Sequence, residues 1–456
     1  MEAKSDSAVA GPLTERGILK SDQFNVLTRL GSMNAPNVGL PKVADVVEYN
    51  YCSSCGTCEA ICPMNAPVVQ RDTVDVTKQK DNYRKMELKT ESVFQGINPL
   101  KADTNPCVNC YACERVCPIL DGFPTDEFNN IRSMKAGKSR TLKGQDGAAV
   151  SQILKSLLEQ GEIDCAIGIV RNDKWSTKLV VFTSPEDVAK AAGTKYTYQP
   201  VVATMRDIHR AYMDSSAEAS LIWNDGHMLD EPRVYIKPIN NILKKYKKVA
   251  LVGVPCQVHG AHLFRENFNK IELIIGLICM ESFSEEIMSS EVVPKVMGVD
   301  IRDVVKMNFH KGKFVVNTTK ETKEVPIKDV ASMARKCCHH CQDYTSYYAD
   351  ISVGSVGSGE GWSTIFVRTE RGEKYLNKVT DIDYSDKPIN MEMIKKLTDM
   401  KHTHNKWDWR GFLKEIWSRD TPIRPWGRER IEKIPPPEVE TVEQSEKTEK
   451  PAKPKQ

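Results

Sequence analysis

The arrangement of cysteines constrains this chain more than any other feature. Tyr51 to Pro63 reads YCSSCGTCEAICP, and Cys107 to Pro118 reads CVNCYACERVCP. Cys52, Cys55, Cys58 and Cys62 have the spacing C-x2-C-x2-C-x3-C-P, and Cys107, Cys110, Cys113 and Cys117 repeat it. Such a run wraps three thiolates round one cubane and sends the fourth, ahead of a Pro-opened helix, to the other. The spacing therefore predicts two [4Fe-4S] clusters, one on Cys52, Cys55, Cys58 and Cys117 and one on Cys107, Cys110, Cys113 and Cys62. The alternatives are zinc and a disulfide framework. Zinc sites usually close with two pairs of ligands and do not produce two four-Cys runs with trailing Pro.

Composition decides how the other cysteines are read. Fourteen Cys in 456 residues is not the density of a small disulfide scaffold, so those outside the two runs read as reduced thiols in a reducing compartment. Lys+Arg 64 against Asp+Glu 61 gives a net charge of +3, which sets up no field favouring nucleic acid, and basic–aromatic interleaving is lacking. The opening MEAKSDSAVAGPLTERG has no apolar core of signal-peptide length, and no run approaches the roughly 18–20 apolar residues of a membrane span. These features predict a cytoplasmic chain, with any membrane attachment supplied by partner subunits.

The length is enough for about three domains. Residues 1–45 read as an extended arm, and residues 46–125 as a ferredoxin-like α+β unit with an insertion, Met64 to Pro106, in which VDVTKQKDNYRKMELKTESVF alternates well enough for a hairpin and equally suits a solvated excursion. From residue 126 to about 420 strands and helices alternate, which predicts an α/β layer. Residues 421–456 are too polar and Pro-rich to fold and read as a disordered tail. Within the layer, Gly144 to Asp164 predicts a turn opening an amphipathic helix with Ala149, Ile153, Leu154 and Leu157 on one face. Cys165–Val170, Lys178–Ser184, Val249–Val254 and Ile271–Ser282 read as strands, and Pro185–Gly193 as a short helix. ISVG and STIFVRT read as two more strands around a Gly-rich turn.

Six cysteines remain. Cys165 begins a core strand and reads as a small buried apolar residue. Cys256 and Cys279 each sit where a parallel strand ends, which is where ligands collect in open α/β sheets. Together with the C-x2-C of Cys338 and Cys341 they form a candidate third [4Fe-4S] site, with Cys337 as substitute ligand or spectator.

The succession GQDGAAVSQILKSLLEQGEID, GTKY, GVPCQ, GLICMES and CHHCQDY followed by ADISVG resembles the coenzyme F420 hydrogenase/dehydrogenase beta-subunit family over roughly residues 126–400. With its fused front unit, the chain is similar to the electron-input subunit of archaeal reduced-coenzyme-F420 dehydrogenases. The resemblance implies a flavoprotein α/β domain that binds FAD beside a [4Fe-4S] cluster and exchanges hydride with coenzyme F420. It puts the third cluster's ligands on Cys256, Cys279, Cys338 and Cys341, making three [4Fe-4S] clusters in all. It also implies partner subunits, of a heterodisulfide reductase, a hydrogenase or a membrane dehydrogenase.

Residue by residue, the Gly144, Gln145, Asp146, Gly147, Ala148 turn offers backbone N–H groups at a helix N-terminus to a pyrophosphate. In Gly193, Thr194, Lys195, Tyr196, the Lys suits phosphate and the Tyr suits stacking on a ring. Gly354, Ser355, Gly357 and Ser358 let a backbone approach a flavin or deazaflavin closely. Arg335 and Lys336 read as a counter-charge for the deazaflavin's acidic tail, and His259, His339 and His340 as outer or surface residues. No protein acid or base is obligatory for hydride transfer, so no catalytic side chain is assigned. The alternative is a polyferredoxin-type adaptor without coenzyme F420 chemistry of its own.

Overall fold

The computed structural model describes residues 43, 46, 51–61, 67–69, 86–88, 112–171, 175, 177–205, 246–267 and 271–405. Its strands are β1 (Pro67–Val69), β2 (Met86–Leu88), β3 (Ser133–Ser139), β4 (Cys165–Arg171), β5 (Thr177–Phe182), β6 (Val249–Gly253) and β7 (Ile271–Leu277), followed by β8 (Val304–His310), β9 (Lys313–Thr318), β10 (Thr322–Pro326), β11 (Ile351–Gly354), β12 (Ser363–Val367) and β13 (Ile382–Ser385).

Near-continuous apolar runs such as VALVG and IELIIGL suit strands covered on both faces. They form the middle of an eight-stranded sheet of order β13-β3-β12-β11-β7-β6-β4-β5. The four central strands β11, β7, β6 and β4 are parallel, with Ile351 opposite Ile275 and Leu251 opposite Ile274. Antiparallel strands finish both edges. Successive side chains point to opposite faces. On one face Ile167, Leu251 and Ile274 pack against Val258, Ala261 and Phe264 of the helix Pro255–Asn267. On the other, Ala166, Ala250, Leu273 and Ile275 pack against the predicted stripe Ala149, Ile153, Leu154 and Leu157 of the helix Ala149–Glu159.

A smaller antiparallel sheet, β10-β9-β8, covers a second core that includes Phe283, Val292 and Phe314. Trp175, in the connection between β4 and β5, joins it to the main sheet by donating from Nε1 to Val304 O at 2.8 Å.

The ferredoxin-like unit shares the main core: Ala60, Ile61 and Val116 lie in one cluster with Val258 and Phe264. Gly56, at φ +87°, sits where a Cβ would come within 2.5 Å of Ala203, so only glycine meets both demands. His259 Nε2 lies 2.8 Å from Asp121 Oδ2, and its ring stacks on Tyr348 at 3.8 Å and 9°.

The insertion pairs differently from the alternation in its sequence. β1 starts upstream of the alternating stretch and pairs antiparallel with β2, with Val68 opposite Glu87. The arm at 1–45, except Val43, and the tail beyond 421 lie outside the described residues.

Candidate redox site

The carboxyl ends of the central strands bring together the chemistry-bearing segments. β6 ends at Gly253, and the next turn is pinned by Gln257, whose Oε1 accepts from Val254 N at 2.9 Å and whose Nε2 donates to Gln199 O at 2.5 Å. That fixes Cys256 in the first turn of the helix Pro255–Asn267. Beyond the neighbouring β7, Cys279 N donates to Tyr344 O at 3.0 Å. The turn Lys336–His340 carries Cys338, and Asn405 Nδ2 holds it by donating to Cys338 O at 2.7 Å and to Cys341 O at 2.9 Å.

The four thiols converge closely enough to feel one another. Burial pushes Cys256 well up, and the thiols of Cys341 and Cys338 push it further. Burial lifts Cys279 to about 12 against the opposing charge of Lys401, with Cys338 and Cys341 adding to the rise. Four interacting thiols suit a cubane, in which each thiolate takes a different iron. Cys338 shares hydrogen bonds with Cys337 and with Ser282, whose Oγ is 3.6 Å from its sulfur, and these lower its pKa. Cys337 and Cys338 are both buried in the second core.

In the ferredoxin-like unit, Cys52, Cys55, Cys58 and Cys117 lie near one another, with Cys113 in the same neighbourhood. After burial, the causes that raise Cys58 are the thiols of Cys55, Cys52, Cys113 and Cys117. Left-handed Ser54 (φ 54°) and Gly56 (φ 87°) coil the loop round its sulfurs, with Ser54 N donating to Cys52 Sγ at 3.3 Å. Cys113 is described, whereas Cys62, Cys107 and Cys110 lie outside the described residues. The unit sits directly on the third set of thiols. A Cβ on Gly260, one turn beyond Cys256, would lie 3.2 Å from Cys55 Sγ.

The Gly144–Ala148 turn also lies at this edge of the sheet. Asp146, Gly147 and Ala148 are consecutively left-handed, at φ 52°, 80° and 52°. Two of the three are not glycine, and such strain collects at ligand clamps. The turn meets Tyr196 and the residues flanking the other two glycine-containing segments. A Cβ on Gly147 would be 2.6 Å from Gly361 O, and one on Gly144 would be 3.2 Å from Ala192 Cβ. Ser363 Oγ donates to Asp146 O at 2.6 Å, and Tyr196 shares a hydrogen bond with Gln145.

Within these segments the side chains have internal work. Lys195 Nζ bonds the Ala191 carbonyl at the end of the helix Pro185–Lys190, and burial lowers its pKa to about 8. Tyr196 packs edge-on to Phe309 at 4.9 Å. Glycine at 354 and 357 makes room for Ile278 and Ile394, where a Cβ would approach to 2.6 and 2.5 Å, and Ser358 Oγ pairs with Thr364 Oγ1 at 2.6 Å. Ser355 is exposed.

Two buried cations at the thiols have no local signature in the sequence. Lys401, 2% exposed, donates from Nζ to Cys279 O and Asp343 O, both at 2.8 Å. Burial opposes its charge, but the thiols of Cys341, Cys279 and Cys338 raise its pKa overall. Arg335, read from the sequence as a counter-charge for the deazaflavin's acidic tail, is 5% exposed and lies over the Tyr198 ring at 3.7 Å. Lys336 is the exposed member of that pair. The signal that would have found Lys401 is the long-range approach of the helix Met391–His404, which no local pattern encodes.

Comparison with known proteins identifies the family. Residues 134–206 and 246–387 match the N-terminal and C-terminal parts of the coenzyme F420 hydrogenase/dehydrogenase beta subunit, and residues 51–120 match a 4Fe-4S dicluster domain. The chain is 42% identical over 390 residues to a subunit of the F(420)H(2) dehydrogenase of Methanosarcina mazei, covering 84% of this chain and 98% of that one. It is 29% identical over 380 residues to the coenzyme F420-dependent sulfite reductase of Methanocaldococcus jannaschii, covering 79% of this chain and 50% of that one. Among solved structures, a chain of the F420-reducing [NiFe] hydrogenase complex from Methanosarcina barkeri matches with TM-score 0.50 and 27% identity, over 66% of this chain and 97% of that one.

Proposed function

Because the chain belongs to the coenzyme F420 hydrogenase/dehydrogenase beta-subunit family and carries a 4Fe-4S dicluster domain, we propose that it is the coenzyme F420-facing oxidoreductase subunit of an electron-transfer complex. When bound, FAD would convert the hydride of the reduced deazaflavin into single electrons, and three [4Fe-4S] clusters would carry those to or from partner subunits.

The observation that carries this reading is the convergence of Cys256, Cys279, Cys338 and Cys341 at the sheet's carboxyl edge, with Cys55 bearing on Cys256 from the ferredoxin-like unit. The chain's own residues hold and insulate the redox groups. Cys256, Cys279, Cys338 and Cys341 would ligate the third cluster. Cys52, Cys55, Cys58 and Cys117 would ligate the nearer ferredoxin-like one. Gly144, Gln145, Asp146, Gly147 and Ala148 would cradle the flavin's pyrophosphate, with Gly193 to Tyr196 and Gly354 to Ser358 closing the pocket. Lys401 supplies fixed positive charge beside thiolates that are otherwise costly to bury.

No helix among the described residues is long and apolar enough to cross a membrane. Contact with a membrane complex would therefore run through partner subunits, such as those of a dehydrogenase, hydrogenase or heterodisulfide reductase.

The test is quantitation of iron, acid-labile sulfide and flavin on anaerobically purified protein. About twelve irons and about one flavin per chain support the reading. About eight irons without flavin leave an electron-carrying adaptor instead.

A further inference from the structure

Arg335 stands between two groups of thiols drawn from opposite ends of the sequence. Its backbone is fixed at the third site, with Arg335 N donating to Ser282 O at 3.0 Å and Cys338 N donating to Arg335 O at 2.8 Å. Its guanidinium reaches the other way. Nη2 donates to the carbonyl of Ser53, the residue after Cys52, at 2.9 Å. Cζ lies 3.7 Å from the centre of the Tyr198 ring, whose hydroxyl is 3.8 Å from Cys256 Sγ.

Arg335 Nη1 is buried and has no hydrogen-bond partner among the described residues. An arginine stays charged under all ordinary conditions, and a buried charged donor left unpaired is strongly disfavoured. It persists where negative charge collects beside it. The groups that bear on it are Cys337, Tyr198, Cys338 and Cys256, and it bears in turn on Cys52.

We propose that Arg335 is a shared positive charge that links the third cluster to the first ferredoxin-like cluster, holding both at higher midpoint potential and fixing their separation. This rests on the reading of three clusters given above. Each cluster becomes one unit more negative when it takes an electron, so a permanent cation beside it favours the reduced form. Acting on both neighbours, one cation raises both potentials together and leaves the electron step between them close to balanced. Arg335 gains and loses nothing in that step; it is a positioning residue.

The experiment is a redox titration of the full-length anaerobic protein, followed by electron paramagnetic resonance, on wild type, Arg335→Gln and Arg335→Lys. For Arg335→Gln, two of the three cluster signals are expected to shift to lower potential. At fixed potential their reduced-to-oxidised ratio should fall about tenfold, about 59 mV for a one-electron couple. The remaining signal, from the cluster assigned to Cys62, Cys107, Cys110 and Cys113, should stay in place, and Arg335→Lys should recover most of the shift.

Full iron content with all three potentials unchanged in Arg335→Gln would overturn the proposal, as would an equal shift of all three. If Arg335→Gln loses a cluster, Arg335→Lys decides. Full iron with near-wild-type potentials supports the charge role, and loss of iron there too assigns Arg335 a purely structural one. Wild-type protein with about eight irons would instead refute the three-cluster reading itself.

Discussion

Gly260 and Thr57 come so close that a Cβ on the glycine would lie 2.1 Å from Thr57 Oγ1. Thr57 opens the short helix Thr57–Ile61 of the cluster-binding segment and Gly260 belongs to the helix Pro255–Asn267 that carries Cys256, so this contact sets how near the ferredoxin-like unit approaches the third thiol set. Thr57 is fully buried and cannot swing aside. Gly260→Ala should overpack this seam by about 1–3 kcal/mol. Thermal unfolding should record the loss, and electron transfer between the two sites should slow; an unchanged Tm would show that the seam yields.

Cys256→Ser should remove the third cluster and leave the ferredoxin-like pair. Iron should fall from about twelve to about eight per chain. Unchanged iron, with full reduction of an artificial acceptor, would exclude Cys256 as a ligand.

Gly147→Ala places a methyl 2.6 Å from the backbone oxygen of Gly361, at a φ of +80° that costs a non-glycine residue about 1–2 kcal/mol. Flavin content after gel filtration should drop severalfold while iron stays at the wild-type value. Retained flavin would move the pyrophosphate site elsewhere.

The carboxyl edge was largely legible in the sequence, because each part of it has a local sign. Apolar runs marked β4, β6, β7, β11 and β12, and Cys256 and Cys279 follow two of those runs directly. The predicted strand Ile271–Ser282 is shorter in the structure: β7 stops at Leu277, two residues before Cys279, which lies beyond it. The antiparallel strand β3, SMKAGKS, which lies between β13 and β12, is polar, with Met134 and Lys138 exposed, and carries no such signature. Arg335 and Lys401 were illegible for a related reason. Each is a charged residue in a charged neighbourhood, and only the fold carries it into the interior. Lys195 looked free for phosphate, but the helix end at Ala191 claims its amine.

The pair His402 and Glu127 should leave a mark on the pH dependence of stability. Burial alone would raise Glu127, but bonds from His402 and from the amides of Tyr344 and Thr345, together with the Thr345 hydroxyl, bring it below its ordinary 4.5. The same carboxylate raises His402 above 6.5. The imidazole's contribution is complete below 6.5 and is lost as pH rises through its raised value. The carboxylate's contribution is complete above 4.5 and is lost as pH falls through its lowered value. The Tm advantage of wild type over His402→Gln should therefore be largest between those limits and shrink on the alkaline side. An advantage that does not vary with pH would show that the pair is not ionised.

The most direct test of the central claim is anaerobic mixing of the purified protein with reduced coenzyme F420, following deazaflavin and flavin absorbance together. The predicted result is oxidation of the deazaflavin with matching flavin bleaching, followed by cluster reduction, with Cys256→Ser arrested after the flavin step. A protein that holds flavin and clusters but leaves reduced coenzyme F420 unoxidised would contradict the account.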